Sequence, residues 1–257
     1  MPITDSYDDT SAEIIRACDV ITPCPGFPTV AIATFSPATL ALMQAEYGLT
    51  PLTTTSAAIG TVQAWALDDG GQRFAVYASP MGAPFATAVL EQFIALGTSA
   101  FVFFGECGVF DGAIPAGHII VPTRAYRDEG TSYHYAPAAD WIDVATADET
   151  ERVLSAAGAP YIAGPVWTTD AFFRETRAVM ERRRQAGCIA VDMECSALAA
   201  AAALRGVAVH QILWAADSLD ADTWDARVLG AMPAEPRLAH ARIALEIARH
   251  VADTITS

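Results

Sequence analysis

Three carboxylates in the sequence stand where they could act on a bound ligand. Glu194 precedes the Ala-rich run CSALAAAAALRG, Asp217 ends the apolar run VAVHQILWAA, and Glu106 ends a third apolar run, SAFVFFG. Carboxylates that are brought together away from water repel one another and are costly to bury unless they are used. Three converging acids are therefore candidates for proton transfer and for binding hydroxyl groups.

The elements around Glu194 and Asp217 predict that both side chains project at one edge of the fold. Asp192 is suited to cap a helix that Gly206 would end. About twelve helical residues run ~18 Å in one direction, and the strand predicted for residues 207–216 runs ~25–30 Å back. The helix start and the strand end then share the edge where open α/β sheets bind ligands.

Two further strands are predicted to end at the same edge. The wholly apolar run SAFVFFG is typical of a buried strand and brings Glu106 there. The run RFAVYASP is followed by Met81 and Gly82. Convergence of several strand ends strengthens the prediction of a site.

Each acid also has a structural explanation that stays open at this point. The dipole alone stabilises an acid such as Glu194 in the first turn of a helix. Asp217 could cap a turn together with Ser218. Their convergence with Glu106 favours the functional interpretation.

Strands and helices alternate along the chain, which is typical of a single α/β domain with a mostly parallel or mixed sheet. Residues 1–28, acidic and then Pro-rich, are predicted to form an arm, and residues 29–257 a single domain. Strands are predicted within 29–35, 60–67, 73–80, 99–105 and 118–127, and helices within 36–48, 83–97, 148–158, 174–187 and 237–255.

Composition excludes several classes of protein. The net charge is −15, and all of the 15 basic residues are arginine, so we expect no binding to nucleic acid or to anionic membranes. No apolar run reaches the ~18 residues of a membrane span, and the acidic N-terminus lacks the basic start of a signal peptide. We therefore expect a soluble, cytoplasmic protein. The five cysteines form no CxxC pair, which predicts free thiols and neither a metal site nor a cofactor.

Four segments, in order, resemble a known superfamily. The sequence VDMEC, followed by an Ala-rich helix and a strand ending in ADS, resembles the signature region of the nucleoside phosphorylases and nucleosidases. This group includes purine and uridine phosphorylases and methylthioadenosine nucleosidases. MGAPFATAVLEQFIALGTSAFVFFGECGVF resembles the group's Gly-rich turn, helix and strand end, AGHIIVPTRAYRDEGTSYHYAP a segment of its uridine-phosphorylase-like branch, and GPVWTTDAFFRET its base-facing loop. The resemblance implies a three-layer α/β/α sandwich with a central mixed sheet.

The same resemblance implies roles for single residues. Met193 would pack beneath the ribose, Glu194 would accept hydrogen bonds from its hydroxyls as an ionised carboxylate, and Phe172 would lie on the base. Asp217 stands where purine-cleaving relatives place the acid that protonates the leaving base, and Arg174 would reach the base or its loop. Further substrate-binding residues are expected at Gly82, Cys107 and Gly108.

The sequence departs from the phosphorylase pattern where phosphate would bind. The stretch that matches a Gly-x-Pro-x-Arg loop reads FSPAT, with Phe35 and Thr39 in place of glycine and arginine, and Glu106 replaces a hydroxyl residue. Only two cations precede Arg124. A pocket that lacks cations and holds a carboxylate should repel phosphate, whereas water needs no cation and Glu106 could act as its general base. These features predict hydrolysis of a nucleoside, with a purine-like base.

Two alternatives stay open. The chain could be a phosphorylase that holds phosphate with backbone N–H groups and with arginines of its second half. It could also be a catalytically silent protein that binds nucleosides or forms oligomers. In each case we expect a small-molecule nucleoside as partner, and a homodimer or a hexamer built from dimers.

Overall fold

The computed structural model describes residues 2–57 and 60–256. The strands are β1 Val30–Thr34, β2 Thr50–Ala57, β3 Gly60–Asp69, β4 Gln72–Ala78, β5 Ala100–Val109, β6 Ile119–Asp128, β7 Trp141–Asp143, β8 Tyr161–Thr169, β9 Ala190–Asp192 and β10 Ala208–Ser218. The helices are α1 Ala17–Val20, α2 Pro37–Tyr47, α3 Ala83–Leu96, α4 Ser132–Tyr135, α5 Ala147–Ala156, α6 Arg177–Gln185, α7 Cys195–Arg205 and α8 Ala234–Thr256. Short 3₁₀ turns cover Ile3–Asp5 and Phe172–Arg174.

Helix boundaries follow the local signals of the sequence. The Ser36 hydroxyl accepts a hydrogen bond from the Thr39 N–H at 3.2 Å, and Pro37 is the first residue of α2. Gly48 ends that helix with a φ of +63°, a conformation in which a side chain would be strained. Gly206 ends α7 in the same way.

The sheet carries helices on both of its faces. Along β5, Val102 and Phe104 belong to a core shared with α2, α5 and α8, whereas Phe101 and Phe103 belong to a core shared with α3 and α7. This double burial explains why the strand is apolar at every position up to Gly105. The predicted three-layer α/β/α arrangement around a mixed sheet is confirmed.

Part of the sheet closes into a ring, which the sequence analysis did not predict. β5 pairs with β10 along its whole length, and β10 continues through β6, β8 and β9. β9 then pairs back to β5 at Gly108 and Val109. On its other side the first half of β5 pairs with β1, as far as Thr34 opposite Phe104. β5 therefore changes its partner from β1 to β9 between Phe104 and Gly108.

Two glycines in the stretch where β5 changes partner lie close to neighbouring side chains. A Cβ added at Gly105 would lie 2.7 Å from Cδ2 of Phe35, and one added at Gly108 would lie 2.6 Å from Cδ1 of Leu219. Because the neighbouring strand is missing here, the backbone of β5 faces a gap between the ends of β1 and β9. Such a change of strand partner is where α/β sheets place ligands.

Several elements were not predicted from the sequence, and one segment was assigned wrongly. Strands β2, β7, β8 and β9 and the short helices α1 and α4 were not assigned. The segment GPVWTT, interpreted as part of a loop, belongs to β8. Strand β9 has three residues, too few for a periodic pattern to appear. Within the described ranges no helix is long and apolar enough to cross a membrane.

Candidate active site

A cavity of about 900 Å³ opens where β5 changes partner. Residues of β5, the β9–α7 junction, the end of β10, the segment after β8, the start of α2 and the start of α8 line it. Predicted site residues in this lining are Glu106, Cys107, Gly108, Phe172, Met193, Glu194 and Asp217. One cavity thus receives all three carboxylates from which the sequence analysis began.

At the start of α7, Asp192 accepts hydrogen bonds from the backbone of the helix, whereas the Glu194 side chain faces the cavity. Oδ2 of Asp192 accepts the N–H groups of Glu194 and Cys195 at 2.9 and 2.6 Å, and its Oδ1 accepts the Thr168 hydroxyl at 2.7 Å. Asp192 therefore satisfies the helix start. Among the described residues outside this junction, the Gly82 N–H donates a hydrogen bond to Glu194 Oε1 at 2.6 Å, and the Glu194 carboxyl group borders the cavity.

Glu194 differs from the ionised carboxylate expected from the sequence. Burial, and next the charge of Asp192, raise the pKa of Glu194 to about 8, although the N–H groups of Gly82 and Met193 act in the opposite direction. Burial likewise raises the pKa of Asp192 to about 6. The helix start does not offset the loss of water around a side chain that is only 6% exposed. Burial therefore favours the protonated form of Glu194.

An irregularity in β10 determines the position of Asp217 relative to β5. The register of β10 against β5 shifts between Ala215 and Asp217, which places Asp217 opposite Gly108. Its Oδ2 accepts the indole N–H of Trp224 at 2.7 Å. Burial raises the pKa of Asp217, because the carboxyl group loses contact with water.

Glu106 faces a buried arginine that the sequence analysis did not place in the cavity. Nη2 of Arg237 lies 3.7 Å from Oε1 of Glu106. Arg237 is 6% exposed and donates to the Met232 carbonyl oxygen at 2.8 Å and to the hydroxyls of Ser36 and Thr39 at 3.0 and 3.3 Å. Oε2 of Glu106 accepts the Gly230 N–H at 3.2 Å, whereas its Oε1 is buried without a hydrogen bond from any described residue. The expectation of an anion pocket without cations is therefore wrong.

The pattern of α8 contained a signal for Arg237. Ala241, Ala244, Leu245 and Ala248 form the buried stripe of this helix, and Arg237 lies four residues before the first of them. A cation at a core-facing helical position is expected to have a buried partner. Counting charges in the first half of the chain could not reveal Arg237, because α8 is far from α2 in the sequence and packs against its start only in the folded protein.

Aromatic side chains form the outer wall of the cavity. The rings of Phe172 and Phe173 lie 4.0 Å apart, and they are 42% and 89% exposed. Trp224 is 62% exposed on the segment that follows β10. Exposed aromatic faces at the mouth of a cavity are suited to stack on a flat ligand ring.

Glu175 is a further carboxylate of the cavity lining, and it was not predicted from the sequence. It follows the 3₁₀ turn Phe172–Arg174 and lines the cavity. Burial, and next the charge of Asp217, raise the pKa of Glu175 to about 7. Its position within a run of charged residues, RETR, gave no signal that it turns inward.

Two predicted residues do not line the cavity. Arg174 is exposed, and the arginine of the same segment that lines the cavity is Arg177, whose guanidinium donates to the carbonyl oxygen of Asp222. The expected reach of Arg174 to the base therefore has no support in the structure. Gly82 lies behind the cavity, where its N–H holds Glu194, and Met81 occupies the wall.

Comparison with known proteins identifies similar sequences. A profile of the Phosphorylase superfamily matches residues 29–255. A guanosine phosphorylase of Halorubrum lacusprofundi is 26% identical over 140 residues, which are 53% of this chain and 58% of that protein. A purine nucleoside phosphorylase of Bacillus cereus is 26% identical over 153 residues, 58% of this chain and 65% of that protein. The chain thus spans less than two thirds of the length of these curated relatives.

Comparison of folds identifies similar solved structures. AMP nucleosidase from Bacteroides thetaiotaomicron has a TM-score of 0.71 at 17% identity, with 90% of this chain and 91% of that chain covered. Purine nucleoside phosphorylase from Toxoplasma gondii has a TM-score of 0.73 at 18% identity, with 89% and 96% covered. At these identities the likeness establishes the fold.

Proposed function

Because the chain belongs to the Phosphorylase superfamily, we propose that it is an enzyme that cleaves the N-glycosidic bond of a nucleoside. We propose further that the base is purine-like and that water, not phosphate, attacks the sugar. The observation that supports attack by water is the pairing of Glu106 with Arg237 inside the cavity.

The sugar end of the cavity is formed by Glu194 and Met193. Ribose hydroxyls would donate hydrogen bonds to the Glu194 carboxyl group, and hydrogen bonds of this kind favour its ionised form. A bound ribose therefore reverses the effect of burial on the pKa of Glu194. The resulting negative charge stabilises the electron-poor sugar that forms as the bond breaks.

The base end is formed by Asp217 and Phe172. A departing purine takes up the electrons of the broken bond, and an acid must supply a proton to one of its ring nitrogens. Asp217 is suited to this role because burial favours its protonated form. The exposed ring of Phe172 would lie on the face of the base.

The nucleophile end is formed by Glu106. In the proposed reaction the bond between C1′ and the ring nitrogen breaks, and the oxygen of a water molecule bonds to C1′. That water gives a proton to Glu106, while the base receives one from Asp217, so that nucleoside and water yield free base and free ribose.

Phosphorolysis is the second candidate, and Arg237 is the observation that favours it. Its guanidinium and the hydroxyls of Ser36 and Thr39 could bind an anion at the start of α2. Glu106 argues against this, because its carboxylate already lies 3.7 Å from the guanidinium. A phosphate bound there would meet a negative charge at close range.

A product assay separates these candidates. Purine and pyrimidine ribonucleosides are incubated with the protein with and without inorganic phosphate, and free base, ribose and ribose 1-phosphate are measured. We expect free base and ribose from purine nucleosides at a rate that phosphate does not change. Formation of ribose 1-phosphate with a strict need for phosphate would instead establish the second candidate, and release of uracil as the preferred base would reject the purine assignment.

We propose in addition that the protein is a homodimer or a hexamer built from dimers in the cytoplasm. Support for self-association comes from large exposed apolar side chains, among them Met81 and Phe173 of the cavity lining and Phe85 at the start of α3. Light scattering at micromolar concentration measures the assembly, and a monomer would contradict the proposal.

A further inference from the structure

The segment after β10 is held against the end of that strand. Ser218 and Asp225 exchange two backbone hydrogen bonds, of 2.9 and 3.2 Å, which close residues 219–224 into a loop. Arg227 donates to the carbonyl oxygens of Ile114 and Gly112 at 2.7 and 2.9 Å. These bonds hold Arg227 at a φ of +39°, which is rare for a residue with a side chain.

Trp224 is the residue of this loop that reaches the proposed acid. Its indole N–H donates to Oδ2 of Asp217 at 2.7 Å, and its ring lines the cavity while it remains 62% exposed. A tryptophan that keeps this much apolar surface in water gains little from burial. The hydrogen bond to Asp217 is therefore the main contact that holds the Trp224 side chain in place.

An indole nitrogen can only donate, and this decides where the proton of Asp217 resides. The unprotonated oxygen of a carboxyl group is the better acceptor, so the bond from Trp224 to Oδ2 favours a proton on Oδ1. Oδ1 is the oxygen on the side of Gly108, 3.2 Å from the point where a Cβ at that glycine would lie. Gly108 is itself part of the cavity lining, so the proton is directed into the cavity.

We propose that Trp224 is a positioning residue: its N–H fixes Oδ2 of Asp217, so that Oδ1 presents the proton to the departing base. The inference rests on the proposed function for its catalytic meaning. The effect on the proton of Asp217 can be measured without turnover.

Other charged groups around Asp217 set the background for this effect. Arg227 favours its ionised form, and Asp225 opposes it. The charge of Asp217 also raises the pKa of Glu175 and of the buried Cys107. The N–H of Trp224 favours the ionised form as well, and against burial it holds the pKa of Asp217 below the value it would otherwise reach. Removal of the N–H should therefore raise this pKa.

The test compares the wild type with Trp224→Phe, which keeps an aromatic ring and removes the N–H. Because the carboxylate loses a charge-assisted hydrogen bond, we expect the pKa of Asp217 to rise by about one unit. The alkaline limb of kcat/KM for a purine nucleoside should move up by the same amount, and kcat below that limb should fall about tenfold because the acid is weaker and less well directed. A nitrophenyl riboside, whose leaving group needs no proton, should be cleaved within about twofold of the wild-type rate.

Phe173→Leu is the matched control, because Phe173 is an exposed aromatic residue of the same cavity wall and has no hydrogen bond to Asp217 among the described residues. It should leave the alkaline limb in place, whatever its effect on KM. The same pH limb and the same ratio of purine to nitrophenyl substrate in Trp224→Phe and wild type would overturn the inference.

A second measurement keeps the inference independent of the proposed function. The carboxyl carbon of Asp217 is titrated by ¹³C NMR in wild type and Trp224→Phe, with Asp217→Asn to assign the signal. A raised pKa in the variant supports the inference even if no base is released, and that lack of release would count against the proposed function alone. An unchanged titration would refute the positioning role even if the enzyme turns over.

Discussion

Substitution of Glu106 by alanine offers the sharpest test of how the cavity selects its nucleophile. Glu106 lies 3.7 Å from Nη2 of Arg237, and its side chain is 21% exposed, so the pair is largely shielded from water. In Glu106→Ala the guanidinium keeps its bonds to Met232, Ser36 and Thr39 but loses its carboxylate partner. An anion from solution then has a free site.

The size of the effect follows from the distance. Two unit charges about 4 Å apart in a partly buried site interact by roughly 4 kcal/mol. A phosphate that binds Arg237 in the wild type would meet a repulsion of this order from Glu106, and roughly 1.4 kcal/mol corresponds to a factor of ten in affinity. Allowing for the remaining solvent, we expect phosphate to bind Glu106→Ala at least ~10²-fold more tightly than the wild type.

Calorimetric titration with inorganic phosphate measures this affinity, and the product assay measures the reaction. Glu106→Ala should hydrolyse nucleosides ~10²–10⁴-fold more slowly, because the general base is gone, and should form ribose 1-phosphate when phosphate is added. Glu106→Gln is the matched control. It removes the charge and the base but fills the space, so hydrolysis should fall as in Glu106→Ala, and phosphate binding should gain most of the same factor because the repulsion is gone.

Two results would refute this reasoning. If phosphate binds Glu106→Ala no better than the wild type, then Arg237 does not form an anion site that Glu106 occupies. If Glu106→Gln hydrolyses nucleosides at the wild-type rate, then Glu106 is not the base that activates water.

Three further predictions concern the other carboxylates. Glu194→Gln should abolish most activity, yet its stability relative to the wild type should rise by about 1–3 kcal/mol between pH 5 and pH 8 in urea unfolding. An acid whose pKa is raised to about 8 in the folded state destabilises the wild type progressively as the pH rises through this window. Stability curves of the two proteins that run parallel would contradict this prediction. Asp217→Asn should slow purine nucleosides by ~10²-fold or more and nitrophenyl riboside by less than about tenfold; equal losses in rate assays would rule out the acid role. Glu175→Gln should move the alkaline limb of kcat/KM to lower pH, because it removes a negative charge that faces Asp217; a limb that stays in place or moves upward would count against the coupling of the two groups.

Features of this chain that depend on neighbours in sequence were predictable. The serine and glycine that bound α2, the apolar run of β5 and the strand that ends at Asp217 each follow from a local pattern. The convergence of Glu194 and Asp217 followed from the lengths of one helix and one strand. In these cases the physical cause lies within about twenty residues of the feature.

Features that depend on distant parts of the chain were not predictable in the same way. The closure of the ring requires β9 to reach β5, and a strand of three residues carries no signal of its partner. Arg237 enters the cavity because α8 packs across the start of α2, although its place on an apolar helical stripe was visible. Glu194 was expected to be ionised because the dipole is a local effect, whereas the burial that outweighs it is produced by the whole fold.

The change of strand partner in β5 also divides the cavity into parts of unequal stability. Its floor, Gly105–Gly108, is backbone of a strand that pairs with β10 throughout this stretch, so the amides that face β10 should exchange with solvent only when the ring unfolds as a whole. Part of the outer wall of the cavity belongs to residues 220–226, all of which are exposed. Such a segment opens at a much smaller free energy than the floor. Hydrogen exchange should therefore separate the two, with ligand entry through the wall while the floor stays closed.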